Sequence, residues 1–160
     1  MAVPNALDPT FELVNAKQRI ISATTEGATR TLRPSESGSL ILLDRGAGIV
    51  ITLPAPTATA GIWYDFITTA NHSPNTVQII TSSGSIYIVG GIQNVDTDSA
   101  DADDWFTTGS SAVSIDFNGS TRGAMIGSNF SLTSYSATRW VVDGIINASG
   151  TVSGPFRTTT

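Results

Sequence analysis

Short apolar runs alternate with polar, turn-forming residues along most of the chain. In the run 62–68, IWYDFIT, an extended strand would place Tyr64 and Phe66 on one face and Trp63 and Asp65 on the other. No stretch repeats apolar residues at i, i+3, i+4 and i+7 over three turns, so the pattern does not indicate an amphipathic helix. The pattern predicts an all-β fold of many short strands, either an antiparallel sandwich or a jelly roll-like barrel.

The predicted strands are spaced by Gly, Ser, Asn and Pro. They are residues 39–43, 49–53, 62–68, 76–81, 85–89, 112–117, 123–126 and 139–145. The first two are joined by the turn-forming sequence DRGAG, which predicts a β-hairpin, and Pro54 and Pro56 end its second strand. No repeat of fixed period is visible, which argues against a propeller, a solenoid or a long β-helix.

Residues 1–38 differ from the rest of the chain. Apolar residues are sparse there, prolines interrupt them, and half of the basic residues lie in this stretch. We therefore predict an extended N-terminal arm over 1–38, with one short strand near 19–23, followed by a β-sandwich or barrel domain over 39–160. A frayed terminus is the alternative interpretation of the arm. The candidates for binding a partner protein are the basic residues of the arm: Lys17, Arg19, Arg30 and Arg33.

Composition excludes several classes of function. Only 13% of the 160 residues are charged, against about 25% in typical domains, and Ser and Thr replace the missing charges. Such a surface suits a protein whose surface is largely covered by a partner. The net charge of −5 argues against nucleic acid as a partner, because phosphate binding needs a basic surface. The absence of cysteine excludes disulfides, thiol catalysis and Cys-based zinc sites. No signal peptide and no apolar run long enough to cross a membrane are visible, so no membrane partner is expected.

The segment 93–106, QNVDTDSADADDWF, concentrates carboxylates. Calcium binds six to eight oxygen ligands, and Asp96, Asp98 and Asp101 are weak candidates for such a site. The spacing lacks the glycine and the final glutamate of an EF-hand loop. Two other interpretations stand beside calcium: a solvated loop of mutually repelling charges, or a surface that meets the basic arm of a neighbouring subunit.

Catalysis is not predicted. His72 is the only histidine, and no nucleophile-elbow motif accompanies it, so we interpret it as an ordinary loop residue. No phosphate-binding glycine loop opens a helix, and we expect neither enzymatic activity nor a cofactor. Six aromatic residues could stack on sugar rings: Trp63, Trp105, Trp140, Tyr64, Tyr87 and Tyr135. Most of them, including Tyr64 and Trp140, are expected in the core instead.

Two segments resemble proteins of tailed-phage virions. Residues 37–67, SGSLILLDRGAGIVITLPAPTATAGIWYDFI, are similar to a segment of capsid decoration (cement) proteins and head-fibre proteins: a small-residue start, an apolar run, D-R-x-x-G, I-T-L-P and an aromatic strand. Residues 139–156, RWVVDGIINASGTVSGPF, resemble the closing stretch of the same proteins. Together the two segments cover under a third of the chain.

The resemblance implies a structural virion protein without catalysis. Such proteins assemble in the host cytoplasm, remain on the exterior of the capsid, bind the major capsid protein and often form homotrimers over junctions between its subunits. An arm could add a strand to the sheet edge of a neighbour. The alternative is a head-fibre or tail-fibre module that binds host-surface glycans through exposed aromatic residues.

Overall fold

Two β-sheets packed face to face form the protein. The structure, a computed structural model, describes residues 19–56, 61–98 and 102–159. The strands are β1 (Ile20–Ser22), β2 (Thr29–Thr31), β3 (Ser39–Leu43), β4 (Ile49–Thr52), β5 (Trp63–Thr68), β6 (Val77–Ile80), β7 (Tyr87–Asp96), β8 (Asp104–Thr107), β9 (Ser114–Phe117), β10 (Asn129–Ser136), β11 (Arg139–Ala148) and β12 (Phe156–Arg157). One helical turn, α1 (Ala23–Glu26), and a 3₁₀ turn, Pro34–Glu36, complete the elements.

The seven-stranded sheet has the order β1-β3-β5-β10-β11-β7-β8, and the five-stranded sheet has the order β12-β9-β6-β4-β2. The predicted all-β sandwich is therefore confirmed. The sheets are mixed rather than purely antiparallel, because five of the ladders between described strands are parallel. Within the described ranges, no helix is long and apolar enough to cross a membrane.

Strands β1 to β6 alternate between the two sheets and stack as a short parallel coil. Ile20 pairs with Leu40 and Ser39 pairs with Tyr64, so successive turns of the coil take 20 and 25 residues. In the other sheet the corresponding pairs, Thr29 with Val50 and Ile49 with Val77, are 21 and 28 residues apart. This uneven spacing explains why no fixed period is visible in the sequence. The strands that follow β6 then add the antiparallel ladders that close the sandwich.

The predicted hairpin over 39–53 is wrong. β3 lies in the seven-stranded sheet and β4 in the five-stranded sheet, so the turn between them carries the chain across the sandwich. Gly48 makes this crossing possible, since its φ is +76° and a Cβ there would lie 2.2 Å from the carbonyl oxygen of Thr76. β3 then pairs in parallel with β5, and β4 pairs in parallel with β6, each with a strand from the next turn of the coil. Parallel strands need such a longer connection, whereas a hairpin joins antiparallel strands.

Residues 19–38 belong to the sandwich and do not form an extended arm. β1 is an edge strand of the seven-stranded sheet and β2 an edge strand of the five-stranded sheet. The short strand predicted near 19–23 is present as β1. The predicted boundary at residue 38 therefore falls inside the folded unit, and the remaining part of the predicted arm, 1–18, lies outside the described residues.

The space between the sheets is filled by aromatic and branched aliphatic side chains. The rings of Phe66 and Phe130 stack with centroids 4.9 Å apart, and Phe117 reaches Phe130 from the opposite sheet at 5.4 Å. Trp140 is completely buried beside Tyr64. Burial of side chains of this size contributes roughly 1.5–3 kcal/mol each and dominates the stability of the fold.

The strand prediction is corrected in two ways: one predicted strand is absent from its residues, and β2, β8, β10 and β12 were not predicted. Residues 123–126, predicted as a strand, form turns, because Gly123 and Ala124 both have positive φ. β10 was not predicted, although Phe130 and Leu132 alternate with Ser and Thr at the period of a strand. The outward residues of β10 are polar, and in a Ser-rich chain its alternation was not recognised as a strand.

Candidate binding surface

The outward side of the seven-stranded sheet is covered by no other element of the described chain and carries exposed apolar residues. We call it the outer face, formed by the outward side chains of β1, β3, β5, β10, β11, β7 and β8. Ile20 is 63% exposed and Trp105 52% exposed, and Trp63, Val141 and Ile145 are also largely accessible. These exposed apolar residues share one uncovered sheet face, and apolar surface concentrated on one face is a signal of contact with another molecule.

Rows of paired residues cross the outer face. One row runs through Ile20, Leu40, Asp65, Ser131 and Asp143, each directly opposite the next on the neighbouring strand. Aspartates therefore flank the small side chain of Ser131 on both sides. The neighbouring row is mainly apolar or amide in character and includes these residues: Leu42, Ile67, Asn129 and Ile145.

A shallow groove of about 340 Å³ lies where these rows meet. Its walls are formed by the outward side chains of Leu40, Asp65, Ile67 and Asp143 together with β10. The strand backbone forms part of the floor, because Gly144, which also lines the groove, has no side chain. The groove therefore combines carboxylates with aliphatic walls, which suits a cationic group carried on an apolar stem.

Each exposed tryptophan of the outer face rests on a glycine. A Cβ at Gly91 would lie 2.6 Å from Nε1 of Trp105, and a Cβ at Gly38 would lie 3.4 Å from the ring of Trp63. β5 and β8 are separated by three strands, so the backbones that carry the two indoles lie about 19 Å apart across the sheet. Aliphatic Val141, rather than another aromatic ring, lies between them.

A buried ion cluster closes the end of the sandwich at the first turn of the coil. Glu36 is 2% exposed and accepts hydrogen bonds from Arg30 and from the backbone N–H of Arg33, 2.9 Å away. Arg30 also pairs with Glu26 at 2.5 Å, and Arg19 lies 3.3 Å from Glu36. Arg30 belongs to edge strand β2, so this cluster places charge where an additional turn of the coil would have to stack. Charge directed inward at an edge is a known protection against unwanted strand addition.

The predicted partner-binding residues are thus separated by the structure. Arg30 forms ion pairs with two carboxylates of its own chain, and these ion pairs would have to break before it could bind a partner. Arg19 is exposed but shares Glu36, and Arg33 is exposed, with its carbonyl oxygen accepting a hydrogen bond from Tyr64 at 2.7 Å. Lys17 lies outside the described residues. A role of Lys17, Arg19 and Arg33 in partner binding stays a prediction.

Two ionisable groups near this end have shifted pKa values. Burial raises the pKa of Tyr64 far above its usual range, and the negative charge of Glu36 adds to the effect. Burial also acts to raise the pKa of Asp44, but hydrogen bonds from Ser22 at 2.5 Å and from Thr24 at 2.7 Å outweigh it, so the pKa lies below its ordinary value. Asp44 thereby ties the turn between β3 and β4 to the end of β1.

The acidic segment is shorter and more structured than predicted, because Asp104 begins edge strand β8. The carboxylate of Asp98 accepts a hydrogen bond from the N–H of Gly150 at 2.8 Å, and Asp103 accepts one from the N–H of Asp96 at 2.9 Å. Asp101 lies outside the described residues. Across the described ranges, no group of three or more His, Cys, Asp or Glu residues is placed to hold a metal ion. The carboxylates that are described support the loop backbone.

His72 lies in the loop between β5 and β6, as expected, but it is completely buried. Its Nδ1 lies 3.0 Å from the carbonyl oxygen of Arg45. Gly119 packs so closely on the loop that a Cβ there would lie 2.6 Å from the backbone nitrogen of Ser73. The histidine therefore joins two loops at one end of the sandwich.

Comparisons with protein families, with curated proteins and with solved structures found no match for this chain. The functional proposal therefore rests on the geometry of the outer face and on the sequence.

Sequence reasoning found most of the outer-face strands but not the face itself. It placed Trp63 and Asp65 on the side of β5 opposite Tyr64, and this is confirmed by their burial. It did not identify Val141 and Ile145 as exposed. The signal was present, since β11 carries apolar residues on both of its faces, and a strand at a free surface needs them on only one.

Proposed function

We propose that this chain is a structural virion protein that decorates the capsid of a tailed phage, without catalytic activity. It binds the major capsid protein on the exterior of the head through the outer face and stabilises the shell, as a homotrimer that assembles in the host cytoplasm. The observation that carries the proposal is the uncovered outer face, on which exposed aliphatic and aromatic residues outnumber charges.

The two segments that resemble phage decoration proteins support the same surface. Residues 37–67 contribute β3 and β5, and residues 139–156 contribute β11, all of which belong to the seven-stranded sheet. An interface made by such a sheet needs an apolar centre and a polar rim, and it gains little from additional charge. The low charge content of the whole chain, 13%, agrees with this requirement.

A matched pair of substitutions tests the role of the outer face. Val141→Lys places a charge on the outer face, and Val50→Lys places the same charge on the outward side of the five-stranded sheet. Binding to heads assembled from the major capsid protein of the same virus, measured by co-sedimentation, should fall at least about tenfold for Val141→Lys only, since a desolvated unpaired charge costs several kcal/mol. Equal binding by both variants would refute the outer face as the contact surface.

Copy number tests the proposal independently of the contact surface. A decoration protein covers the shell in hundreds of copies, whereas a fibre is present in few. A denaturing gel of purified particles of the virus should therefore show this chain as a strong band. Absence of the chain from purified particles would refute any virion role.

A second candidate, a fibre module that binds host-surface glycans, is favoured by the exposure of Trp63 and Trp105. A sugar ring stacks on the face of an aromatic side chain, and both exposed indoles offer such a face. Their separation across four strand spacings argues against a continuous platform. Saturable binding of a surface glycan that is lost in Trp63→Ala and Trp105→Ala, in a protein scarce in the particle, would favour this candidate.

A further inference from the structure

We propose that copies of this chain bind one another edge to edge, with the β1 edge of the seven-stranded sheet of one copy against the β8 edge of the next. Arg19 and Arg33 at the β1 edge meet Asp103 and Asp104 at the start of β8 across this contact. The inference rests on the proposed function only for the homotrimeric state, because the contact itself concerns the isolated chain. Three observations lead to it: the charges at the two edges, the apolar residues exposed there, and the positions of the edges in the sheet.

The β1 edge carries exposed positive charge. The side chain of Arg19 is 60% exposed, and one of its guanidinium nitrogens lies 3.3 Å from Glu36. The backbone N–H of Arg33 donates to the same carboxylate at 2.9 Å, while the side chain of Arg33 is exposed and forms no ion pair with a described residue. Glu36 is buried and is already paired with Arg30, so Arg19 and Arg33 can still attract a carboxylate of another molecule.

The β8 edge carries exposed negative charge. Asp103 and Asp104 are exposed, and neither forms an ion pair with a described residue. One oxygen of each carboxylate is used locally, since Asp103 accepts a hydrogen bond from the N–H of Asp96 at 2.9 Å and Asp104 accepts one from the N–H of Trp105 at 2.8 Å. The second oxygen of each carboxylate can accept a hydrogen bond from an arginine. Because the N–H of Trp105 is already bonded, we expect contact through side chains rather than through main-chain pairing.

Each edge also exposes one large apolar side chain. Ile20 on β1 is 63% exposed, and Trp105 on β8 is 52% exposed. Contact between an aliphatic side chain and an indole ring removes apolar area of both edges from water. It also shields the neighbouring charge pairs from solvent and salt, which strengthens them. The two edges are therefore complementary in apolar surface as well as in charge.

The positions of the edges make the contact head to tail. β1 and β8 are the outermost strands of the seven-stranded sheet, about 29 Å apart across it. The two edges of one molecule therefore cannot meet, and contact between like edges would place arginine against arginine or aspartate against aspartate. Contact between unlike edges is heterologous, and such contacts close into a ring when the rotation between neighbours allows it.

A second copy of the chain suits both edges. Each molecule presents one basic and one acidic edge, so every contact between copies pairs opposite charges. Side-by-side contact also leaves the outer face of each copy free to bind the capsid, as a ring lying on the shell requires. We therefore assign the two edges to each other.

Exchange of charges tests the assignment on the full-length chain. Sedimentation equilibrium should show that the wild type associates and that Arg33→Glu or Asp104→Arg alone weakens association at least about tenfold, since each places like charges opposite one another. The double variant, which combines Arg33→Glu with Asp104→Arg, should recover most of the wild-type affinity. Asp143→Arg reverses an exposed charge on the outer face and is the matched control, so it should leave association unchanged.

Cross-linking of introduced thiols gives a second readout, because the chain has no cysteine of its own. Ile20→Cys and Trp105→Cys are prepared as separate proteins, mixed and treated with a short bismaleimide. The mixture should form cross-linked dimers several-fold faster than either variant alone. Equal rates in the mixture and in the two separate samples would overturn the head-to-tail contact.

The outcomes distinguish this inference from the contact with the capsid. A wild type that stays monomeric at about 100 μM, or association that neither charge reversal weakens, would overturn edge-to-edge binding whether or not the outer face binds heads. A double variant that associates no better than the single variants would overturn the pairing of Arg33 with Asp104. If the wild type associates as expected but does not bind heads, the outer-face contact fails and the edge contact stands.

Discussion

Replacing Glu36 by glutamine tests whether the buried ion cluster holds the first turn of the coil in place. The substitution keeps the size of the side chain and removes its charge. Arg30, whose side chain is 18% exposed, then keeps Glu26 as its only ion-pair partner among the described residues. The hydrogen bond from the N–H of Arg33 to Glu36 also loses its charged acceptor.

The expected cost follows from burial. Removing one partner of a buried ion pair costs about 3–5 kcal/mol when the remaining charge is left uncompensated. Because Glu26 still compensates part of the charge of Arg30, we expect roughly 2–3 kcal/mol for Glu36→Gln. Glu26→Gln is the matched control, since Glu26 contacts the same arginine but is 25% exposed. A pair exposed to this extent contributes about 0–1 kcal/mol.

Equilibrium unfolding in urea measures both values. Tryptophan fluorescence reports on the core through Trp140, and the shift of the midpoint at constant slope gives the change in free energy of unfolding. Glu36→Gln and Glu26→Gln are compared in the same buffer at neutral pH. A cost for Glu36→Gln below about 1 kcal/mol, or equal to that of Glu26→Gln, would show that the cluster is not a structural lock.

Three further outcomes are expected. Asp44→Asn should lower the free energy of unfolding by about 1 kcal/mol at neutral pH. Because the folded pKa of Asp44 lies below its ordinary value of 3.8, this stabilisation is present above pH 3.8 and is lost as the pH falls further. The wild type and Asp44→Asn should therefore have converging stabilities in acid unfolding experiments. A constant difference down to pH 2 would contradict this reasoning. Tyr64→Phe should cost about 1 kcal/mol in urea unfolding through loss of the hydrogen bond to Arg33, and no cost would show that water replaces it. Gly48→Ala should cost more than about 2 kcal/mol in thermal unfolding because its Cβ would meet Thr76, and a neutral result would mean that the crossing between the sheets can shift.

The strands could be predicted largely from local pattern. β3, β4, β5 and β6 lie within one or two residues of their predicted bounds, because β-branched and aromatic alternation is encoded within each run. Strand pairing could not be predicted in this way. A five-residue connection with turn-forming residues fits a hairpin or a crossing between two sheets equally well. The contact between Gly48 and Thr76 that decides for the crossing joins residues far apart in sequence.

The candidate surface, too, could be predicted from the sequence only in part. Sequence identified the basic residues of the N-terminal region but could not show that Arg30 is already paired, because Glu26 and Glu36 meet it only after β2 and the 3₁₀ turn are in place. Sequence placed Trp63 and Asp65 on one side of a strand but could not show which side of the sheet remains uncovered. That depends on which elements pack on it.

The sequence by itself determined an all-β protein of short strands, with few charges and without cysteine, because alternation and composition are local properties of the chain. Only the tertiary structure decided that the first six strands coil between two sheets, that an arginine is neutralised within the molecule, and that one sheet keeps an apolar side exposed. The sheet order and the exposed side depend on contacts between residues far apart in the chain, such as Ile20 with Leu40 and Tyr64 with Trp140. The ion pairs of Arg30 join nearby residues but form only once β2 and the 3₁₀ turn are in place, so no local pattern contains this information.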